Sequence, residues 1–140
     1  MAITQNILEE LIISSYTNYV VFIVDDPTAT LTDQSTMTDA SALEIAEANG
    51  YTRKSLTLGT WEFNSGVLSS EVPETTWTAS GGSITATHFC FAVQANTTQG
   101  DTTGILERFV PIDNGNQFTY NDGDTIKMNK FTIQLSGEIA

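Results

Sequence analysis

A chain of 140 residues with 17 acidic and 5 basic side chains, a net charge of −12 and one cysteine excludes several functional classes at once. Affinity for nucleic acid comes largely from Lys and Arg displacing counterions, which so acidic a chain opposes. One cysteine forms neither an internal disulfide nor a cysteine-based zinc site, and the length suits a single domain, residues 1–140, burying roughly 68% of its unfolded surface.

No Lys or Arg precedes Arg53, so the N-terminus lacks the basic start of a signal peptide, and the expectation is a protein made in the cytoplasm and not secreted. The longest apolar run, Tyr19-Val20-Val21-Phe22-Ile23-Val24, is far short of the roughly 20 residues that span a bilayer. No membrane partner is expected. The 22 threonines suit half-buried strands better than helices and push the fold class towards all-β.

In chain order, residues 2–15 read as an amphipathic helix: Ile3, Ile7, Leu8, Leu11 and Ile12 share one stripe, with Gln5, Asn6, Glu9 and Glu10 opposite. That stripe needs a partner, either the chain's own sheets or a neighbouring subunit, and Ile3, Ile7 and Leu11 are the candidate partner interface. A buried strand at 19–25 closes on Asp25-Asp26-Pro27, and 28–38 reads as a polar surface loop. Ser41-Ala42-Leu43-Glu44 has the spacing of a capping box and predicts a short helix over 42–48, stopped by Asn49-Gly50.

From Tyr51 onward the pattern is β. Leu56 and Leu58 alternate with Ser55 and Thr57, Trp61-Glu62-Phe63 alternates before Asn64-Ser65-Gly66, and 67–72 leads to Pro73. Gly81-Gly82 precedes the longest strand signal, 83–95, in which Phe89, Phe91 and Val93 take one face and Ile84, Ala86, Cys90 and Ala92 the other. Apolar residues on both faces predict a central strand covered on each side. A polar loop over 96–104 follows, then a strand over 105–112 that Pro111 marks as an edge or an end. Phe118 and Tyr120 start another strand, Asn121-Asp122-Gly123-Asp124 turns the chain, and Phe131, Ile133 and Leu135 form a half-buried closing strand. Short strands at such spacing indicate a sandwich or barrel.

Candidates for chemistry are scattered. His88 and Cys90 lie on one strand face without the third orienting group or the cleft that a nucleophile pair needs, and no catalytic residue is assigned. Asp113, Asp122 and Asp124 offer hard oxygen ligands, but their spacing is turn chemistry and fits no EF-hand, so no metal or cofactor is assigned. Asn96-Thr97-Thr98 matches a glycosylation triplet in a chain without a secretory start. Trp61 and Trp77 are the aromatics available to a sugar or peptide platform, with core or rim packing as the alternative. Arg53 is read as a structural clamp on a carboxylate, with Asp25, Asp26 and Glu44 as possible partners.

The order of these parts resembles a family of small structural proteins of tailed-bacteriophage virions. The resemblance lies in an N-terminal helix, a hydrophobic strand ending in Asp25-Asp26-Pro27, an acidic segment running into Gly50-Tyr51-Thr52-Arg53, then Trp61, Trp77 before a Gly-rich turn, 84–91 with His88, and Gly123-Asp124 before the final alternating strand. The loop 96–104 and the acids around Glu44 and Glu47 depart from it. The resemblance implies a non-enzymatic, jelly-roll-like β-sandwich on the outer surface of the virion, most simply a capsid cement or decoration protein. It further implies the major capsid protein as partner and a homo-oligomer, a trimer at the local three-fold positions of the shell. A tail-fibre or tail-associated role and a carbohydrate-binding module for host attachment are the alternatives.

Overall fold

The computed structural model describes residues 4–7, 10 and 17–136, and within them the chain is all-β. Gln5, Asn6, Ile7 and Glu10 are helical. Thr4 is described and not helical, and the remainder of the expected helix 2–15, Ile3 and Leu11 included, lies outside the described residues.

Strand β1 (Tyr19–Val24) sits between β2 (Lys54–Leu56) and β7 (His88–Val93), and β8 (Ile105–Pro111) completes a four-stranded antiparallel sheet in the order β2-β1-β7-β8. β7 is buried along its whole length and β1 beyond its first residue, as continuous apolar runs require. Phe89 and Phe91 face a second layer, where Phe89 stacks on Trp77 at 5.9 Å and Phe91 meets Phe131 edge-on at 5.6 Å. On the opposite face Cys90 pairs with Phe22 and Phe109, and the Arg53 guanidinium lies 4.6 Å above the Phe22 ring. Fully burying each such Val, Ile or Phe contributes about 1.5–3 kcal/mol.

The second layer comes from a ribbon. β4 (Val67–Val72) pairs with β11 (Phe131–Ser136), and β5 (Thr75–Thr78) with β10 (Thr125–Met128), in one register that continues across Pro73. β3 (Glu62–Asn64) flanks β4 through a two-residue turn in which Ser65 and Gly66 both have positive φ, 51° and 80°, the geometry that matches the twist of a hairpin. β6 (Ile84–Ala86) pairs with β9 (Phe118–Tyr120). From Val67 to Val93 the chain therefore runs out, and from Ile105 to Ser136 it runs back alongside, with residues 94–104 at the tip.

Three expectations are corrected. The segment 83–95 is not one strand: it breaks at Thr87, whose N–H bonds the Val24 carbonyl at 3.0 Å, so that β6 pairs with β9 while β7 turns to β1 and β8. The short helix is not at 42–48 but at α1 (Met37–Ser41), where Thr36 and Asp39 form the capping box. Residues 43–45 instead extend β1's bonding, with Asp25 N–H on the Leu43 carbonyl (3.0 Å) and Ile45 N–H on the Ile23 carbonyl (3.1 Å), and the Ser41 and Glu44 side chains turn inward. Asn49-Gly50 makes a turn rather than a helix stop. At Gly50, φ is +88° and a Cβ would lie 2.3 Å from the Thr78 carbonyl oxygen, so a side chain does not fit. β10 was not expected from the sequence; its Ile126 and Met128 are core residues.

Candidate functional site

Arg53 lies just ahead of β2 and points beneath the end of the sheet, where its guanidinium meets the Glu44 carboxylate at 2.9 Å, the two side chains being 0% and 1% exposed. Nε also donates to both carboxylate oxygens (3.1 and 3.0 Å), while Nη2 donates to Ser41 Oγ (3.2 Å) and the Asp101 carbonyl (3.0 Å), and Nη1 to the Asn96 carbonyl (3.3 Å). Glu44 in turn accepts the Tyr51 hydroxyl proton and the Gly100 N–H (2.7 Å). Burial first, and the Glu44 hydrogen bond second, push the Tyr51 phenol far above its ordinary range, so it is a fixed donor. Of the three carboxylates available to Arg53, the fold selects Glu44 because the Val24–Glu44 bridge sets that residue beside β1.

The consequence is a braced tip. With Ser41 Oγ donating to the Asp101 carbonyl (2.8 Å) and Gln99 Nε2 to the Ile45 carbonyl (2.7 Å), the backbone of 96–101 is held from the 41–53 side. At its root, Gln94 and Ala95 donate to the Thr17 and Asn18 carbonyls (2.6 and 3.2 Å). Thr17 and Asn18 thus lead into β1 at the end of the sheet that carries this loop.

A second buried carboxylate braces its own loop. Asp26 Oδ1 accepts Thr30 N–H (2.9 Å) and the Thr30 hydroxyl (2.7 Å), and Oδ2 accepts Leu31 N–H (2.9 Å). Burial raises the carboxyl, but the bonds from Leu31 and Thr30, with His88 nearby, outweigh it and hold Asp26 below its ordinary value. Asp26 N–H donates to Thr87 Oγ1 (2.7 Å), which also meets His88 Nδ1 (2.8 Å). His88 packs edge-on against Phe109, and burial lowers its pKa against the opposing pull of Asp26.

The remaining candidates are placed as follows. Trp77 is 2% exposed, packed between Phe89 and Tyr51, with its indole N–H on the Thr52 carbonyl (2.7 Å); it is a core residue and not a binding platform. Trp61 is half-buried at the core rim and bonds the Tyr19 hydroxyl. Cys90 is fully buried, which raises its thiol far above the reactive range. Asp122 accepts Gly81 N–H from the neighbouring loop, 41 residues away, Asp124 accepts Asn121 N–H within its own turn, and no group of three metal-ligating side chains occurs among the described residues. Asn96 Oδ1 closes its own turn on Thr98 N–H (3.0 Å). Ile7, the described member of the candidate interface, is 55% exposed. Among the described residues no helix is long and apolar enough to cross a membrane.

Arg53 was recognisable in advance as a clamp, but its bonds to the Asn96 and Asp101 carbonyls, and the Gly100 N–H that joins it on Glu44, were not, because the tip becomes a neighbour only when the chain folds back. Comparison with protein-family models, curated proteins and solved structures gives no match for this chain.

Proposed function

We propose that this chain is a non-enzymatic structural protein of a tailed-bacteriophage virion, a capsid cement that bridges neighbouring major capsid protein subunits on the outer surface. The observation that carries the reading is Ile7, 55% exposed on a helix whose sequence stripe is apolar, next to a domain whose loops are internally braced. A braced domain with an exposed apolar side chain at Ile7 suits a protein that binds and holds. The order of sequence parts supplies the phage context, and the folded-over ribbon of 67–136 suits a jelly-roll-like domain. Bridging gains from avidity: once one contact forms, the next is effectively intramolecular, so a homo-oligomer of weakly binding copies holds subunits that must otherwise part together. The carbohydrate-binding alternative loses Trp77 to the core.

The test is to image particles made with and without the protein by cryo-EM and to measure their heat and chelator resistance. Density on the shell and lost resistance without the protein are expected. Deletion of residues 1–10 should leave a folded domain that no longer protects particles. Density confined to the tail would replace the cement reading by the tail-associated one.

A further inference from the structure

The strand edges of this fold are not alike. β8 borders the four-stranded sheet and is guarded: Glu107 is the extra residue of a bulge between the Phe91–Arg108 and Ala92–Leu106 pairs, it is ion-paired with Arg108, and Pro111 ends the strand without an N–H. β2 and β3, at two other borders, are three residues long and carry Lys54 and Glu62. β11 borders the sheet β11-β4-β3 and has none of these devices. Its register with β4 is unbroken over six residues, Phe131–Ser136, and the segment contains no charge and no proline. Among the described residues no strand pairs with its outer side.

Its inward side chains are also incompletely covered. Ile133 is 1% exposed, but Phe131 and Leu135 on either side remain half-buried, Leu135 beside Leu68 at the rim of the sheet. Thr132 and Gln134, on the outward face, are exposed and neutral.

We propose that β11 is a homotypic interface, pairing antiparallel with β11 of a second copy about a two-fold axis to join two three-stranded sheets into one. A net charge of −12 on each copy disfavours self-association wherever carboxylates meet, as they do at Glu62 of β3 and Glu107 of β8. β11 offers only neutral side chains and main-chain donors and acceptors, and an antiparallel strand pair is its own complement under a two-fold. The added strand covers Phe131 and Leu135. The symmetry differs from the three-fold that a shell position suggests, and the pairing needs no other partner, so it stands or falls independently of the cement reading.

The test uses the full chain alone, by sedimentation equilibrium across a range of salt. The expected result is a dimer that tightens as salt screens the repulsion between copies. A Thr132→Lys/Gln134→Lys double variant places guards on the exposed face without touching the β4 pairing. It brings the net charge nearer zero, yet is expected to associate at least about tenfold more weakly, with the melting temperature of its monomer retained. A monomer at every salt, a trimer, or a dimer that the double lysine leaves intact overturns the proposal. Should the lysine variant misfold, Gln134→Cys replaces it: with Cys90 buried, the new thiol is the reactive one, and a short thiol crosslinker should yield dimers that Ser55→Cys, exposed on β2, does not. Equal crosslinking at both positions overturns it.

Discussion

Asp26 and Glu44 are both buried carboxylates on segments that pack against the end of β1, yet they are satisfied in opposite ways. Asp26 finds its donors four and five residues away, in neutral amides and a hydroxyl. Glu44 is held by Arg53, Tyr51 and Gly100, the last 56 residues distant, and carries an ion pair into the interior. The first arrangement is a local turn that orders one loop. The second ties three distant segments together, and its energetics differ: a buried ion pair contributes little over a well-packed apolar replacement, but breaking it leaves an uncompensated charge. What Glu44 and Arg53 confer is one defined position for the tip.

The largest effect is expected where that pair is broken. Arg53→Ala should destabilise the domain by about 3–5 kcal/mol in urea unfolding, because Glu44 stays buried without its counter-charge. Arg53→Met with Glu44→Leu should recover most of this while the amides of 96–101 lose protection in hydrogen exchange. If both single and double variants lose the same stability, the pair is not the coupling element. Asp26→Ala should cost about 1–3 kcal/mol, through the orphaned amides of Thr30 and Leu31, and leave protection at 96–101 unchanged. Tyr51→Phe, which removes the hydroxyl shared by Glu44 and the Ile23 N–H (3.2 Å), should cost about 1 kcal/mol and lower protection at the tip and at the Ile23 amide.

The smallest effect separates the clusters by pH. His88 has a folded pKa below its ordinary value near 6.5, so the unfolded chain takes up the proton first; its contribution is complete above about pH 6.5 and is lost as pH falls. Asp26, also depressed, contributes above its ordinary value near 3.9 and loses that contribution only in stronger acid. Thermal melting of His88→Asn should flatten the upper part of the acid profile and Asp26→Asn the lower part. A profile unchanged in both variants would place the titration elsewhere.

How far these features were legible follows the same division. The Asp25-Asp26-Pro27 turn, the apolar β1 and β7, the edge character of β8 at Pro111 and the alternation of β11 are written in periods and turn residues that act over a few positions. The helix was misplaced because two capping boxes compete a few residues apart: Thr36 with Asp39 forms one, while Ser41 and Glu44 are drawn away by Arg53. The break at Thr87 was hidden because the apolar alternation of Ile84 and Ala86 resumes beyond it at Phe89, Cys90 and Phe91, and its cause is a hydrogen bond to Val24, 63 residues away. By itself the sequence determined the β class, the two buried strands, most turns and the need of Arg53 for a carboxylate, since each depends on local stereochemistry or on the cost of an unpaired charge. Only the tertiary structure decided which carboxylate that is, where α1 starts, that Trp77 is core, and which strand edge stays unguarded, because each of these is set by what long-range pairing brings alongside or leaves uncovered.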